Sequence, residues 1–193
     1  RSYTDCRLKS FRNETNIGMH RNWNRTIELN TSPYLIIFGD DNVFLPEFLS
    51  ESVAALEEHP RAAFSFTFAT AIDLDGVPNG SLNIENLPSE GVLDGVEFLH
   101  RIVSGENFVI RDATALMRSS ALELLGPLDN PHSEHSTDLN LFYRFATEFD
   151  IAFVPKELVQ IRIHPGQDSA LRFRTAGGTG QLAQMAERTD AIA

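Results

Sequence analysis

The sequence predicts an α/β domain, and three observations carry that expectation. The apolar run Tyr34-Leu35-Ile36-Ile37-Phe38 is too short for a helix and reads as a strand buried on both faces. Residues 62–72 place Phe64, Phe66 and Phe68 on one side at a period of two, which reads as a second strand. Elsewhere apolar residues recur at helical spacing, as at Phe48, Leu49, Val53 and Leu56. Helices mixed with buried β runs, without an internal repeat or a dividing linker, make one α/β unit.

Residues 1–16 are polar and end in Arg12-Asn13-Glu14-Thr15-Asn16, which suits a loop. After Gly18, a stretch bearing Trp23, Ile27 and Leu29 can be helical up to Asn30, and Asn30-Thr31-Ser32-Pro33 closes it. The first strand runs into Gly39-Asp40-Asp41-Asn42. Pro46 can open the next helix, which continues to about Glu58 before His59-Pro60 stops it. Beyond the Phe-rich strand, Asp75-Gly76 and Asn79-Gly80 are both turn signals. Residues 81–91 show no clear period and read as a loop over the active face. Asp94 and Glu97 have capping-box spacing, Val96, Leu99, Ile102 and Val103 form one apolar helix face, and Gly105 ends that helix.

Residues 108–110 and 114–117 are short strand candidates. Ser120 and Glu123 repeat the capping pattern over a helix ending at Gly126, and residues 127–136 are a loop rich in Pro, Asn, His and Ser. Leu139, Phe142 and Ala146 give a helical stripe beginning at Asp138. Residues 151–154 and 158–163 are strands. The remainder is Arg- and Gly-rich, then weakly helical from Gln181, so residues 1–170 are expected to form the domain and 171–193 a C-terminal tail or helix.

The chain has 193 residues, 42% of them hydrophobic, enough for one sizeable core. A net charge of -11 argues against a general nucleic-acid binder, which needs a basic face to neutralise phosphates. It leaves room for a phosphate-bearing small substrate, because a metal can supply positive charge locally. Cys6 is the only cysteine, so neither a disulfide framework nor a Cys-based zinc site is available. No apolar run approaches the roughly 18–20 residues of a membrane span, and no signal peptide is visible. A cytoplasmic protein is the default expectation, with any membrane association carried by other segments, and the sequons at Asn13, Asn24, Asn30 and Asn79 are read as unused. A chain that starts at Arg1 reads as a fragment or a trimmed product.

Asp40 and Asp41 stand at the carboxyl end of a predicted strand, where ligands gather in open α/β sheets. Two adjacent carboxylates repel, and a hard cation with oxygen ligands relieves the repulsion. Asp and Asn are also ordinary turn residues, and an Asx-rich turn capping a helix explains the stretch equally well. Asp138 lies near a helix start, where the dipole favours its ionised form and it can serve as a base or simply as a capping acid. Arg162 and His164 share one side of a strand end, where they could meet a diphosphate or a metal. His132 and His135 have an H-x-x-H spacing but no further ligand set. His20, His59 and His100 look like surface or helix-face residues, and the Phe64/Phe66/Phe68 stripe reads as core. Arg172 and Arg174 suit a phosphate clamp or a solvated tail. No G-x-S-x-G, Walker-type loop or strand-borne G-x-G-x-x-G is present, so nucleophilic hydrolase chemistry is unsupported.

Four ordered blocks resemble the family-2 glycosyltransferases of GT-A fold. They are Asn16-Ile17-Gly18 with Asn22-Trp23-Asn24-Arg25 and the run from Tyr34 through Asp40-Asp41-Asn42 to Pro46-Glu47-Phe48-Leu49; Ala115-Leu116-Met117-Arg118-Ser119-Ser120 with Leu125-Gly126-Pro127-Leu128-Asp129; Thr137-Asp138-Leu139-Asn140-Leu141 with Arg144; and Arg162-Ile163-His164-Pro165-Gly166-Gln167. The resemblance implies a GT-A-like sheet, mixed and mostly parallel, flanked by helices and incomplete at the N-terminus. It implies sugar transfer from a nucleotide-sugar donor to a glycan, glycolipid or other hydroxyl acceptor, usually with inversion and a divalent metal (Mn2+ or Mg2+), as in polysaccharide biosynthesis. Position by position, Asp41 would be the metal ligand of a DXD-like motif, Asp40 would face the ribose or metal, and Asp138 would be the general base. His164 and Arg162 would lie near the metal-diphosphate end, and Asn16 and Gly18 would border the nucleotide. Asn42 stands where many relatives carry a third acid, and Thr137 replaces the acid that often precedes the base. The family's first strands, which hold the nucleotide base, have no counterpart in the chain. These departures motivate an alternative, a non-catalytic relative that binds nucleotide-sugar, glycan or a partner enzyme. A metal-dependent nucleotidyltransferase is a third reading.

Overall fold

The computed structural model describes residues 4–89, 91–104, 110–128 and 137–164. Its centre is a seven-stranded sheet. The strands are β1 (Tyr34–Leu35), β2 (Val43–Phe44), β3 (Ala62–Ile72), β4 (Pro78–Ser81), β5 (Val92–Leu93), β6 (Ala115–Arg118) and β7 (Asp150–Arg162). They run in the order β1-β6-β3-β7-β2, with β4 added to β3 and β5 to β7. The helices are α1 (Met19–Leu29), α2 (Phe48–Glu58), α3 (Gly95–Val103), α4 (Ser119–Leu125) and α5 (Thr137–Ala146), with a 3-10 turn at Asp112–Thr114.

The long β3 explains the layering. Phe64 and Phe66 point to the face covered by α3 and α5, where they join Phe98, Phe142 and Phe145 in the largest core cluster, with Trp23 of α1 at its margin. Ser65, between them, points to the opposite face and donates to the Ser52 carbonyl of α2 at 2.9 Å. On that side Leu56 packs on Ala62, Leu116 and Ala152, and Phe48 on Ala69, Val154 and Val159. Each fully buried Phe or Leu contributes about 1.5–3 kcal/mol relative to exposure, so both faces of β3 are strongly specified.

β3 and β7 pair in parallel from Ala62↔Asp150 to Ile72↔Arg162, and the other five pairings are antiparallel. The sheet is mixed, as expected, but among the described residues most of its pairings are antiparallel and its parallel part is the long central ladder. Residues 151–154 and 158–163 belong to one strand rather than two. The register jumps from Thr67↔Val154 to Phe68↔Glu157, so Pro155 and Lys156 bulge out and the ladder resumes behind them. The run 34–38 is paired only at Tyr34 and Leu35 and is half-buried throughout, not buried on both faces. Among the described residues β1 has a single neighbour, β6, and a strand with one neighbour cannot be enclosed on every side.

Asp75-Gly76 forms the expected turn, but Asn79-Gly80 lies inside β4. On α3, Asp94 caps as predicted, accepting from the Val96 and Glu97 amides. The buried side is made by Gly95, Phe98 and Ile102, while Val96 is 73% exposed. α4 begins at Ser119 without a side-chain cap, so Ser120 is inside the helix, and Gly126 closes it with φ +71°. Residues 129–136 of the candidate loop 127–136, the expected helix end at Gly105, residues 108–109, and everything from Pro165 onward lie outside the described residues.

Candidate functional site

Three stacked rings build the platform of the acidic loop. Phe38 stacks on Phe44 with centroids 3.7 Å apart, and Phe44 on Phe48 at 4.4 Å. The chain between Phe38 and Phe44 is thereby closed into a short excursion with Gly39, Asp40, Asp41 and Asn42 at its tip. A Cβ on Gly39 would lie 2.9 Å from Asp41 Oδ1 and 3.1 Å from Asn42 Nδ2, so a larger residue there would displace those two side-chain ends. Asp40 is exposed, and Asp41 and Asn42 are half-buried.

The far end of β7 meets this loop. β2 pairs with β7 at Val43↔Gln160 and Phe44↔Val159, which carries the next residues of β7 alongside residues 41 and 42. The Arg162 amide donates to Asn42 Oδ1 at 3.1 Å, and Arg162 Nε donates to the Asp41 carbonyl at 3.0 Å. His164 Nε2 lies 3.3 Å from Asp41 Oδ2. Arg162 Nη1 donates to the carbonyls of Asp73 and Leu74, at 2.5 and 3.0 Å. Its guanidinium thus ties together backbone from two loops.

Asp138 forms a second group. It lies in the first turn of α5, beside the buried Thr137, and its carboxylate acts on Asp112 and Arg111 of the segment entering β6. Burial pushes the Asp112 carboxyl up to about 6, and the Asp138 charge adds to the shift; the Ala113 amide and Arg111 oppose it. Burial lowers Arg111 from its usual range, against the pull of both acids. Asn16 and Gly18 sit elsewhere, at the opening of α1, where Asn16 Oδ1 accepts the Gly18 amide at 2.9 Å and Gly18 has φ +79°.

Asp41, Asn42, Arg162 and His164 are therefore brought together, and Asp138 has Asp112 as a neighbour that sequence reasoning missed. Its only signal was the charged pair Arg111-Asp112 directly ahead of an apolar strand. Glu157 was also missed. Placed by the β7 bulge, it accepts from Thr70 Oγ1 at 2.6 Å, Asn83 Nδ2 at 2.8 Å and Ser81 Oγ at 3.1 Å, donors that hold its carboxyl below the usual range. This one side chain pins the start of the loop that follows β4. The His132/His135 pair and Arg172/Arg174 lie outside the described residues.

Among the described residues no group of three or more His, Cys, Asp or Glu converges on one point. A carboxylate oxygen and an imidazole nitrogen 3.3 Å apart nevertheless suit a divalent cation that takes its other ligands from substrate phosphate oxygens and water. A cleft of about 420 Å³ opens between the N-terminal segment and α1, lined by Lys9, Phe11, Asn13, Arg25 and Leu35 among others, and no acid lines it. No helix of the described residues is long and apolar enough to cross a membrane.

A family model described as Glycosyl transferase family 2 matches residues 1–125. No curated protein matches the chain. Among solved structures it is similar to S. aureus TarS, residues 1–349. With UDP-GlcNAc bound to TarS, the TM-score is 0.57 at 15% identity, over 78% of this chain and 40% of that one. TarS alone gives 0.54 at 15%, over 76% and 41%, and TarS with UDP gives 0.54 at 16%, over 77% and 41%. At these identities the likeness is one of fold, and the chain spans about 40% of the TarS chain.

Proposed function

The chain belongs to glycosyl transferase family 2, and on that premise we propose that the protein moves a sugar from a nucleotide-sugar donor to an acceptor hydroxyl, with inversion. The observation that carries the reading is the meeting of Asp41 with His164, 123 positions apart, at 3.3 Å on the edge of the central sheet. A carboxylate and an imidazole so placed would hold Mn2+ or Mg2+ against the donor diphosphate, with Asp40 turned to the ribose or the cation. When bound, the cation offsets the negative charge that grows on the departing diphosphate. Asp138 accepts the proton of the acceptor hydroxyl as its oxygen attacks the anomeric carbon from the side opposite the diphosphate. The bond between that carbon and the diphosphate oxygen breaks with inversion. Asn16 and Gly18 are proposed to border the nucleotide. Because TarS has been solved with UDP and UDP-GlcNAc, uridine donors are the first to try. The acceptor is proposed to be a glycan, glycolipid or other hydroxyl compound.

Asn42 favours this reading over a non-catalytic one. Its amide oxygen anchors the Arg162 backbone, so it does scaffold work in the loop and its lack of charge needs no loss of catalysis to explain it. The test is a thermal-shift titration of the full-length gene product with nucleotide diphosphates, each with and without Mn2+, and with Asp41→Asn as control. Stabilisation that needs both nucleotide and cation and disappears in the variant is expected. No response in any combination would replace the enzyme reading with the binding-module one.

A further inference from the structure

The carbonyls to which Arg162 donates come from the β3–β4 turn at one end and from the acidic loop at the other. That turn is closed by its own hydrogen bonds, apart from those to Arg162. Asp73 Oδ1 accepts from the amides of Asp75 and Val77, both at 2.9 Å, the Asp73 amide donates to the Val77 carbonyl at 3.0 Å, and the Gly76 amide returns to the Asp73 carbonyl at 3.1 Å. Gly76 takes φ +83°, a conformation that glycine adopts at no steric cost. The turn stands next to Arg162 because the parallel ladder ends at Ile72↔Arg162 and the Ile163 amide donates to the Ile72 carbonyl at 2.9 Å. The acidic loop is secured far less well by its own strands, since β1 and β2 are two residues each.

We propose that residues 73–77 and Arg162 form a support that sets the position of the Asp41 carboxylate, making Arg162 a positioning residue rather than a diphosphate ligand and the turn its anchor. The chemistry of the side chain favours this. A guanidinium presents its donors in a fixed plane, so one group can hold Asp41, Asp73 and Leu74 carbonyls in a single geometry, which a lysine ammonium cannot reproduce. A carboxylate that must meet a cation within a few tenths of an ångström depends on such outer contacts, whose loss typically weakens metal binding 10- to 100-fold. The inference rests on the reading of Asp41 as a cation ligand.

The test is made on the full-length protein by measuring Mn2+ affinity in the presence of UDP, from the free-Mn2+ signal in electron paramagnetic resonance, beside the thermal midpoint and the steady-state constants. Asp73→Ala, which alters the turn and leaves the Asp41, Arg162 and His164 side chains unchanged, is expected to weaken Mn2+ binding and raise the donor KM about tenfold, with kcat within about threefold of the parent. Asp73→Asn retains the accepting oxygen and should restore most of the affinity. Arg162→Lys should match Asp73→Ala, and the double variant should be no worse than Arg162→Lys alone, because both act through one support. Unchanged Mn2+ affinity in Asp73→Ala, or losses that add in the double variant, would overturn the proposal. So would a lowered thermal midpoint with no change in Mn2+ affinity, which a merely structural role predicts. Asp41→Asn separates the two levels. If it keeps Mn2+ binding, the ligand reading itself fails; if it loses Mn2+ while Asp73→Ala does not, only the support fails.

Discussion

Asn24 and Leu128 hold each other twice: Asn24 Nδ2 donates to the Leu128 carbonyl at 2.9 Å, and the Leu128 amide donates to Asn24 Oδ1 at 2.8 Å. The side-chain amide imitates a strand neighbour and joins α1 to the segment after α4, across 104 positions of sequence. Asn24→Ala leaves a partly buried amide and carbonyl without these partners. Such a loss costs about 1–3 kcal/mol, so the chemical-denaturation midpoint should fall with an unchanged slope. Asn24→Asp keeps the acceptor but turns the donor into a second acceptor facing a carbonyl, and should fall at least as far.

Gly95 and Val96 are neighbours with opposite tolerance. A Cβ on Gly95 would collide with the carbonyl oxygens of Ala146 and Phe149, where α3 crosses the end of α5, while the Val96 side chain is 73% exposed. Gly95→Ala has backbone rather than a flexible side chain to displace, and is expected to cost more than about 3 kcal/mol or to abolish soluble folding. Val96→Lys should stay within about 0.5 kcal/mol of the parent. Thermal unfolding of both variants checks the contrast.

That pair also shows where sequence reasoning stops. Phe48, Leu56, Phe64 and Phe66 were readable because periodicity is local, and α2 and β3 fall where the pattern puts them. Val96 belongs to the apolar stripe yet faces solvent, because apolar spacing says which residues share a face but not which of two adjacent faces is covered. The length of β1 depends on its neighbours, which no residue of 34–38 encodes. Residues 151–154 and 158–163, expected as two strands, are one, because a bulge at Pro155 and Lys156 lets the ladder pass a proline that cannot join it. Asp41, Asp138, Arg162 and His164 stand out in the sequence through their blocks, and the fold brings Asp41, Arg162 and His164 together. The use of Arg162 on carbonyls does not stand out, since it requires the turn at Asp73 to lie alongside.

Asp112 gives a pH dependence with a definite sign. Its ordinary value is 3.8 and burial beside Asp138 raises it to about 6. Between these values the folded state holds a proton that the unfolded state has released, so stability falls as pH rises from about 4 to about 6 and stays reduced above that. A shift of this size corresponds to roughly 1–3 kcal/mol after allowance for partial exposure. Asp112→Asn removes the charge at nearly constant shape. The variant should melt roughly 3–8 °C above the parent at pH 8 and level with it only near pH 3, below the ordinary carboxyl value. Equal melting temperatures at pH 8 would mean that the carboxylate is better solvated than its burial implies.

Asp138 and Asp41 are assigned different steps, and kinetics can separate them. A base acts on the acceptor hydroxyl in the transition state and does not hold the donor, so Asp138→Asn should lower kcat by roughly 100- to 10,000-fold while nucleotide binding with Mn2+ stays near the parent value. Asp41→Asn should instead remove the Mn2+-dependent part of nucleotide binding and raise the donor KM. The geometry makes the two separable, because Asp41 is held by the β7 end through His164 and Arg162, whereas Asp138 sits at the start of α5 beside Asp112. If Asp138→Asn lost nucleotide binding as well, its carboxylate would belong to the donor site, and the proton acceptor would have to be sought in another residue near the acceptor hydroxyl. If both variants transferred sugar at the parent rate, neither carboxylate would take part in the reaction.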